Sequence, residues 1–141
     1  MFLISQYLYC PCLDTAPGWM SLKVFDFREV EPKPFEVEGA KGKVYVRWLL
    51  TEKDGANKFW MRYFEMEPGS NTPRHRHPWE HEAFILEGEG VVIGEGGKEY
   101  PLKPGTVVFV PPNELHEFRN TGNTVMKILC IIPAVKEAPG R

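Results

Sequence analysis

The feature that most constrains this chain is how often it is interrupted. From Lys43 onward, short runs rich in Val, Ile, Phe and Tyr alternate with turn-forming clusters such as Lys53-Asp54-Gly55, Pro68-Gly69, Gly88-Glu89-Gly90, Gly96-Gly97, Pro104-Gly105, Pro111-Pro112-Asn113 and Thr121-Gly122-Asn123. A turn roughly every eight to twelve residues is the rhythm of a β-sandwich or small barrel, whose strands must reverse at each sheet end. No stretch keeps an apolar helical period for the roughly ten residues a helix needs. The spacing predicts antiparallel strands over residues 44–50, 59–67, 81–87, 90–94, 98–100, 106–110, 116–120 and 124–132, and an all-β domain. Closing the sheet, or doubling it, removes exposed strand edges.

With 141 residues the chain is long enough for a single domain with a core of its own. Thirteen glycines and thirteen prolines exceed their roughly 12% combined share of average chains, as a turn-rich fold requires, without reaching the level of a disordered one. Seventeen Lys and Arg against nineteen Asp and Glu give a net charge of -2. That balance lacks the positive excess needed to hold a nucleic-acid backbone or an anionic membrane surface.

Three cysteines, Cys10, Cys12 and Cys130, make no even disulfide framework, and the expectation is a reducing, cytoplasmic setting. The apolar opening, residues 1–13, has no basic flank and no small-residue cleavage site, and it is too short to cross a bilayer. Residues 1–19 read as an extension outside the barrel, with Met20 as a possible start, residues 20–133 as the domain, and residues 134–141 as a polar tail that frays after Pro133.

The chemistry concentrates in the histidines. The chain has four, and His75, His77 and His81 fall within seven residues. On an extended strand His75 and His77 share one face while Arg74 and Arg76 take the other. Pro78 holds His77 extended, and Trp79 and Glu80 let the chain turn before His81 opens the next strand. His116 starts a later strand whose same-side residues are Phe118 and Asn120, so it can complete a ligand set around one ion. A lone histidine is more often a hydrogen-bonded core or surface residue, but here that would have to hold four times. A basic patch is diluted by Glu80 and Glu82.

These residues resemble the two motifs of the cupin superfamily, G-x5-H-x-H-x3,4-E-x6-G and G-x5-P-x-G-x2-H-x3-N. Gly69, His75, His77, His81 and Gly88 follow the first, with His81 where the glutamate usually stands. Glu82 fits the longer spacing and is the alternate ligand, though strand alternation lets only one of the two face inward. Pro104-Gly105, Pro111-Pro112-Asn113, His116 and Asn120 follow the second, with Asn113 replacing the glycine before the histidine. Asn tolerates the left-handed turn. The resemblance spans roughly residues 21–133 and is nearest to small single-domain cupins that hold manganese with four histidines. It implies a double-stranded β-helix, or jelly-roll, barrel.

Four neutral imidazoles would leave a divalent ion its full charge and, at six-coordination, two open positions. Imidazole suits Fe, Cu, Ni and Zn, and also Mn where sites stay open. The resemblance favours Mn or Fe. With every histidine engaged, an acid–base residue would have to be Glu80, Glu82, a tyrosine or metal-bound hydroxide. Phe109, Phe118, Ile128 and Cys130 are expected to line a small pocket, or simply to fill the core.

The leading functional expectation is an oxidoreductase of dioxygenase type acting on a small organic substrate. The alternatives are a non-catalytic module binding a carboxylate or sugar, and a sugar isomerase that needs Glu80 or Glu82 in the cavity. The aromatic load of Tyr45, Trp48, Phe59 and Trp60 adds the expectation of a homodimer.

Overall fold

The computed structural model describes residues 21–141. The extension at residues 1–19, the reading of Met20 as a start, and Cys10 and Cys12 lie outside the described residues. Within them, the chain forms strands β1 (Lys33–Pro34), β2 (Val44–Leu50), β3 (Phe59–Met66), β4 (His81–Glu87), β5 (Gly90–Ile93), β6 (Glu99–Leu102), β7 (Val107–Val110), β8 (Glu117–Arg119) and β9 (Met126–Pro133), with three short 3₁₀ turns. A six-stranded sheet of order β1-β2-β3-β9-β4-β7 faces a three-stranded sheet of order β6-β5-β8. All pairings are antiparallel. The all-β expectation holds, and each expected strand appears with ends shifted by a few residues.

The core lies between the sheets, and strand alternation fills it. Trp60, Arg62, Phe64 and Met66 of β3, His81, Ala83 and Ile85 of β4, and Met126, Ile128, Cys130 and Ile132 of β9 are all buried. Such alternation is what a sheet with one covered face requires. Trp60 belongs to this core, and Trp48 packs edge-on against it at 6.0 Å. Tyr45 is half-buried, so of the four aromatics expected on the surface only Phe59 is exposed there.

One pairing decides the position of the site. Residues 71–77 run antiparallel to β8 and the residues just before it, with bridges Asn71↔Arg119 and His75↔His116. The two histidines exchange both backbone hydrogen bonds, at 3.1 and 3.0 Å. Pro73 and Pro78 lack an N–H, so this segment cannot form a continuous ladder and reads as loop. Asn113 supports the same junction. It has φ 65°, the only positive φ among the described non-glycine residues, and its N–H donates to the His77 carbonyl at 2.7 Å. The asparagine thus makes the left-handed turn expected of it.

The tail departs from expectation: it packs rather than frays. Ala138 is buried, the Trp48 indole N–H donates to the Gly140 carbonyl at 3.1 Å, and the Arg141 guanidinium lies over the Trp60 ring at 4.4 Å while pairing with Glu52. The polar composition concealed a small-residue turn, Ala138-Pro139-Gly140, that fits against the mouth of the barrel.

Candidate metal centre

His75 and His116 meet because their backbones pair, and their Nε2 atoms lie 3.1 Å apart. That separation is close to the roughly 3.0–3.4 Å edge between neighbouring nitrogens bound to one ion at about 2.1 Å. His77, one strand step from His75, brings its ring centroid to 5.2 Å from His75 and 4.8 Å from His116. Ligand atoms of His75, His77 and His116 all lie within 4.8 Å of one another, so these three side chains are placed to hold a metal ion.

Backbone carbonyls fix two of the tautomers. His77 donates from Nδ1 to the Trp79 carbonyl at 2.6 Å and stacks on the Trp79 ring, 4.6 Å between centroids and 8° between planes. His116 donates from Nδ1 to the Glu114 carbonyl at 2.9 Å. In both rings the Nε2 lone pair is left to face the cluster, which is how ligating imidazoles are usually oriented.

His81, the first residue of β4, is 6% exposed and lies against the same cluster, 4.8 Å from His116 and 5.5 Å from His77 between ring centroids. Both of its ring nitrogens are buried without a hydrogen-bond partner. A buried polar atom without a partner is costly, yet His81 is not one of the three residues whose ligand atoms cluster within 4.8 Å. Glu82 takes the opposite face of β4, paired in register between Ile131 and Phe109. Of the two candidates at this point of the motif, the histidine faces inward.

All four imidazoles are held neutral. Burial is the main cause at each: it pushes His75 down to about 4 and His81 well below the ordinary value, and it also lowers His77 and His116. The Arg62 guanidinium adds repulsion at every ring. Neutral imidazole is the form that binds metal.

The histidines open on a cavity of about 50 Å³, room for a few water-sized groups. Phe118, Ile128 and Cys130 line it, with Phe35, Phe64 and Met66. Phe109 does not. It is 56% exposed on the outer side of β7, because Val108 and Val110 take the inward positions of that strand. Glu80 is exposed, and neither it nor Glu82 lines the cavity, so neither is placed to act on a bound ligand.

Sequence reasoning missed Arg62, which lines the cavity from β3. The signal was present: in the alternation Trp60, Arg62, Phe64, Met66 a charged residue occupies an inward position of an otherwise apolar set. Trp79, which orients His77, was read only as part of a turn.

Known proteins share this fold. The chain is 38% identical over 109 residues to the oxalate-binding protein of Thermotoga maritima, covering 74% of this chain and 88% of the relative. Two crystal structures superpose well. The polyketide cyclase RemF of Streptomyces resistomycificus gives a TM-score of 0.77 at 29% identity over 84% of this chain and 83% of the other. A predicted oxalate decarboxylase of Thermotoga maritima gives 0.73 at 33% identity over 80% of this chain and all of the other. Proteins of such different roles share the barrel, so likeness alone selects none of them. The cupin domain pattern itself matches residues 62–132, from Arg62 on β3 through both histidine segments to Ile132 on β9, and this chain belongs to the cupin family.

Proposed function

We propose that this cupin holds one divalent transition metal on His75, His77, His81 and His116 and binds a small organic acid at the positions left open toward the cavity. The observation that carries the reading is His81. This buried imidazole, set beside three clustered histidines, has two unpartnered ring nitrogens, one of which an ion joining the group would satisfy. The metal supplies Lewis acidity toward a ligand oxygen. An all-nitrogen donor set accommodates Zn, Ni, Cu and Fe, and Mn as well where open positions take oxygen. The resemblance of the histidine motif to small four-histidine cupins favours Mn or Fe. The small cavity and the oxalate-binding relative support a compact acid as the ligand. The buried free thiol of Cys130 fits a reducing, cytoplasmic setting.

A second reading, a dioxygenase, is favoured over a sugar isomerase by the cavity lining. Among the described residues no carboxylate lines the cavity, so an isomerase would lack a carboxylate acid–base residue there, whereas oxygen chemistry would run on the metal. The deciding experiment begins with elemental analysis of protein purified without added metal. Calorimetric titration with small acids follows, then oxygen-electrode assays against enols, diketones, phenols and keto acids. One tightly held ion per chain and saturable acid binding without oxygen uptake supports the binding reading. Turnover with oxygen consumption supports the dioxygenase. Protein that binds no transition metal ends both.

A further inference from the structure

Among the described residues, Arg62 is a buried cation with no carboxylate paired to it. It is 6% exposed on the inward face of β3, and no ion pair involves it among the described residues. Its Nη2 donates to Cys130 Sγ at 3.1 Å, and its Nε is buried without a partner. The guanidinium carbon lies 5.0 Å from the Phe64 ring centroid and 5.4 Å from that of Trp48, so aromatic faces hold the group in place. Aromatic faces and a thiol orient a guanidinium but do not neutralise it, and a buried charge is ordinarily paired. The other charged side chains of the neighbourhood face outward: Glu65 and Lys127 take the outer positions of β3 and β9, and Glu82 that of β4.

We propose that Arg62 is the anion subsite of the cavity. The ligand presents a carboxylate to the guanidinium fork and an oxygen donor, at the far end of a short acid, to the histidine cluster. Arg62 and all four histidines line the same cavity of about 50 Å³, so a ligand that fills it is within reach of both. Guanidinium matches carboxylate in planar, two-point geometry, which an ammonium cannot reproduce. A compact dicarboxylate is therefore preferred over a monocarboxylate, and a neutral diamide of the same shape is rejected. This deepens the binding reading by naming what the cavity selects, and it rests on that cavity being the ligand site.

The test uses the full chain, metal-loaded and metal-stripped, titrated calorimetrically with oxalate and with its uncharged isostere oxamide. The wild type is expected to prefer oxalate over oxamide by at least about 100-fold when metal-loaded. A weaker preference, carried by Arg62 alone, should persist in stripped protein. Arg62→Met should lose at least about tenfold in oxalate affinity while keeping its metal content, and its oxamide affinity should not change. Arg62→Lys, which keeps the charge but not the fork, should lose oxalate affinity by several-fold and decides the matter if the methionine variant does not fold. Oxalate affinity unchanged in Arg62→Lys and Arg62→Met overturns the proposal, and so does a wild type that does not distinguish acid from amide. Loss of metal binding with the acid preference of stripped protein intact would instead overturn the metal reading and leave the subsite standing.

Discussion

At the scale of single residues, the centre depends on imidazoles kept neutral in a place where charge is costly. His77→Ala should reduce metal affinity by more than the roughly 10–100-fold that even changes behind the ligands cost. The thermal stability gained on adding metal should fall with it, since metal binding free energy is expressed as folding free energy. Unchanged stoichiometry by elemental analysis would remove His77 from the ligand set. The metal-stripped protein should also be acid-sensitive in a defined window. Each histidine has a folded value below its ordinary 6.5, so below that pH the unfolded chain takes up protons that the folded chain refuses. Stability is therefore complete above pH 6.5 and is lost as pH falls, down to about 4 where folded His75 itself protonates. Thermal melts of stripped protein that stay flat from pH 7.5 to about 4.5 would show that the rings are solvated. Part of the histidine cluster was legible from His75-Arg76-His77 alone, because a period-two spacing puts both rings on one face. Arg62 was not, because only the assembled strands show it buried without a carboxylate partner among the described residues.

At the scale of elements, the turns made the fold readable and the prolines hid part of it. Every strand bounded by Gly, Asn or Pro-Gly appeared near its expected place, since those residues stop a ladder wherever they fall. Residues 71–77 did not read as a partner of β8, because Pro73 and Pro78 break the hydrogen-bond pattern even where the backbone stays extended. Yet this broken pairing brings His75 to His116. The tail was misread for a different reason: Lys136, Glu137 and Arg141 suggested solvent, while Ala138 and Pro139 line the cavity. Removing residues 136–141 takes away the Trp48–Gly140 hydrogen bond and the Arg141 contact with Trp60, a loss of about 2 kcal/mol. It also uncovers one wall of the cavity. The truncated chain should melt earlier and exchange a bound acid several-fold faster in stopped-flow tryptophan fluorescence. Unchanged exchange would mean that ligands enter from the histidine side alone.

At the scale of the whole molecule, the outer face of the six-stranded sheet is more apolar than a solvated surface needs. Phe84 and Val107 sit opposite each other in register, with exposed Leu86 and Phe109 nearby, and Leu129 and Ile131 continue the face on β9. β7 ends that sheet as an edge strand, and an apolar edge offers both backbone hydrogen bonds and side-chain contact to a further strand. A second copy of the chain is one occupant this face would take, paired through two-fold symmetry. The homodimer expectation would then use Phe84, Val107 and Phe109 rather than Trp60, which is buried, or Trp48, which packs against the core. Phe109→Glu places a charge at the centre of such an interface while pointing away from the cavity. Sedimentation velocity should find the wild type dimeric and the variant monomeric, with metal content the same in both. A wild type that sediments as a monomer across micromolar concentrations would show that this face is covered by something other than its twin.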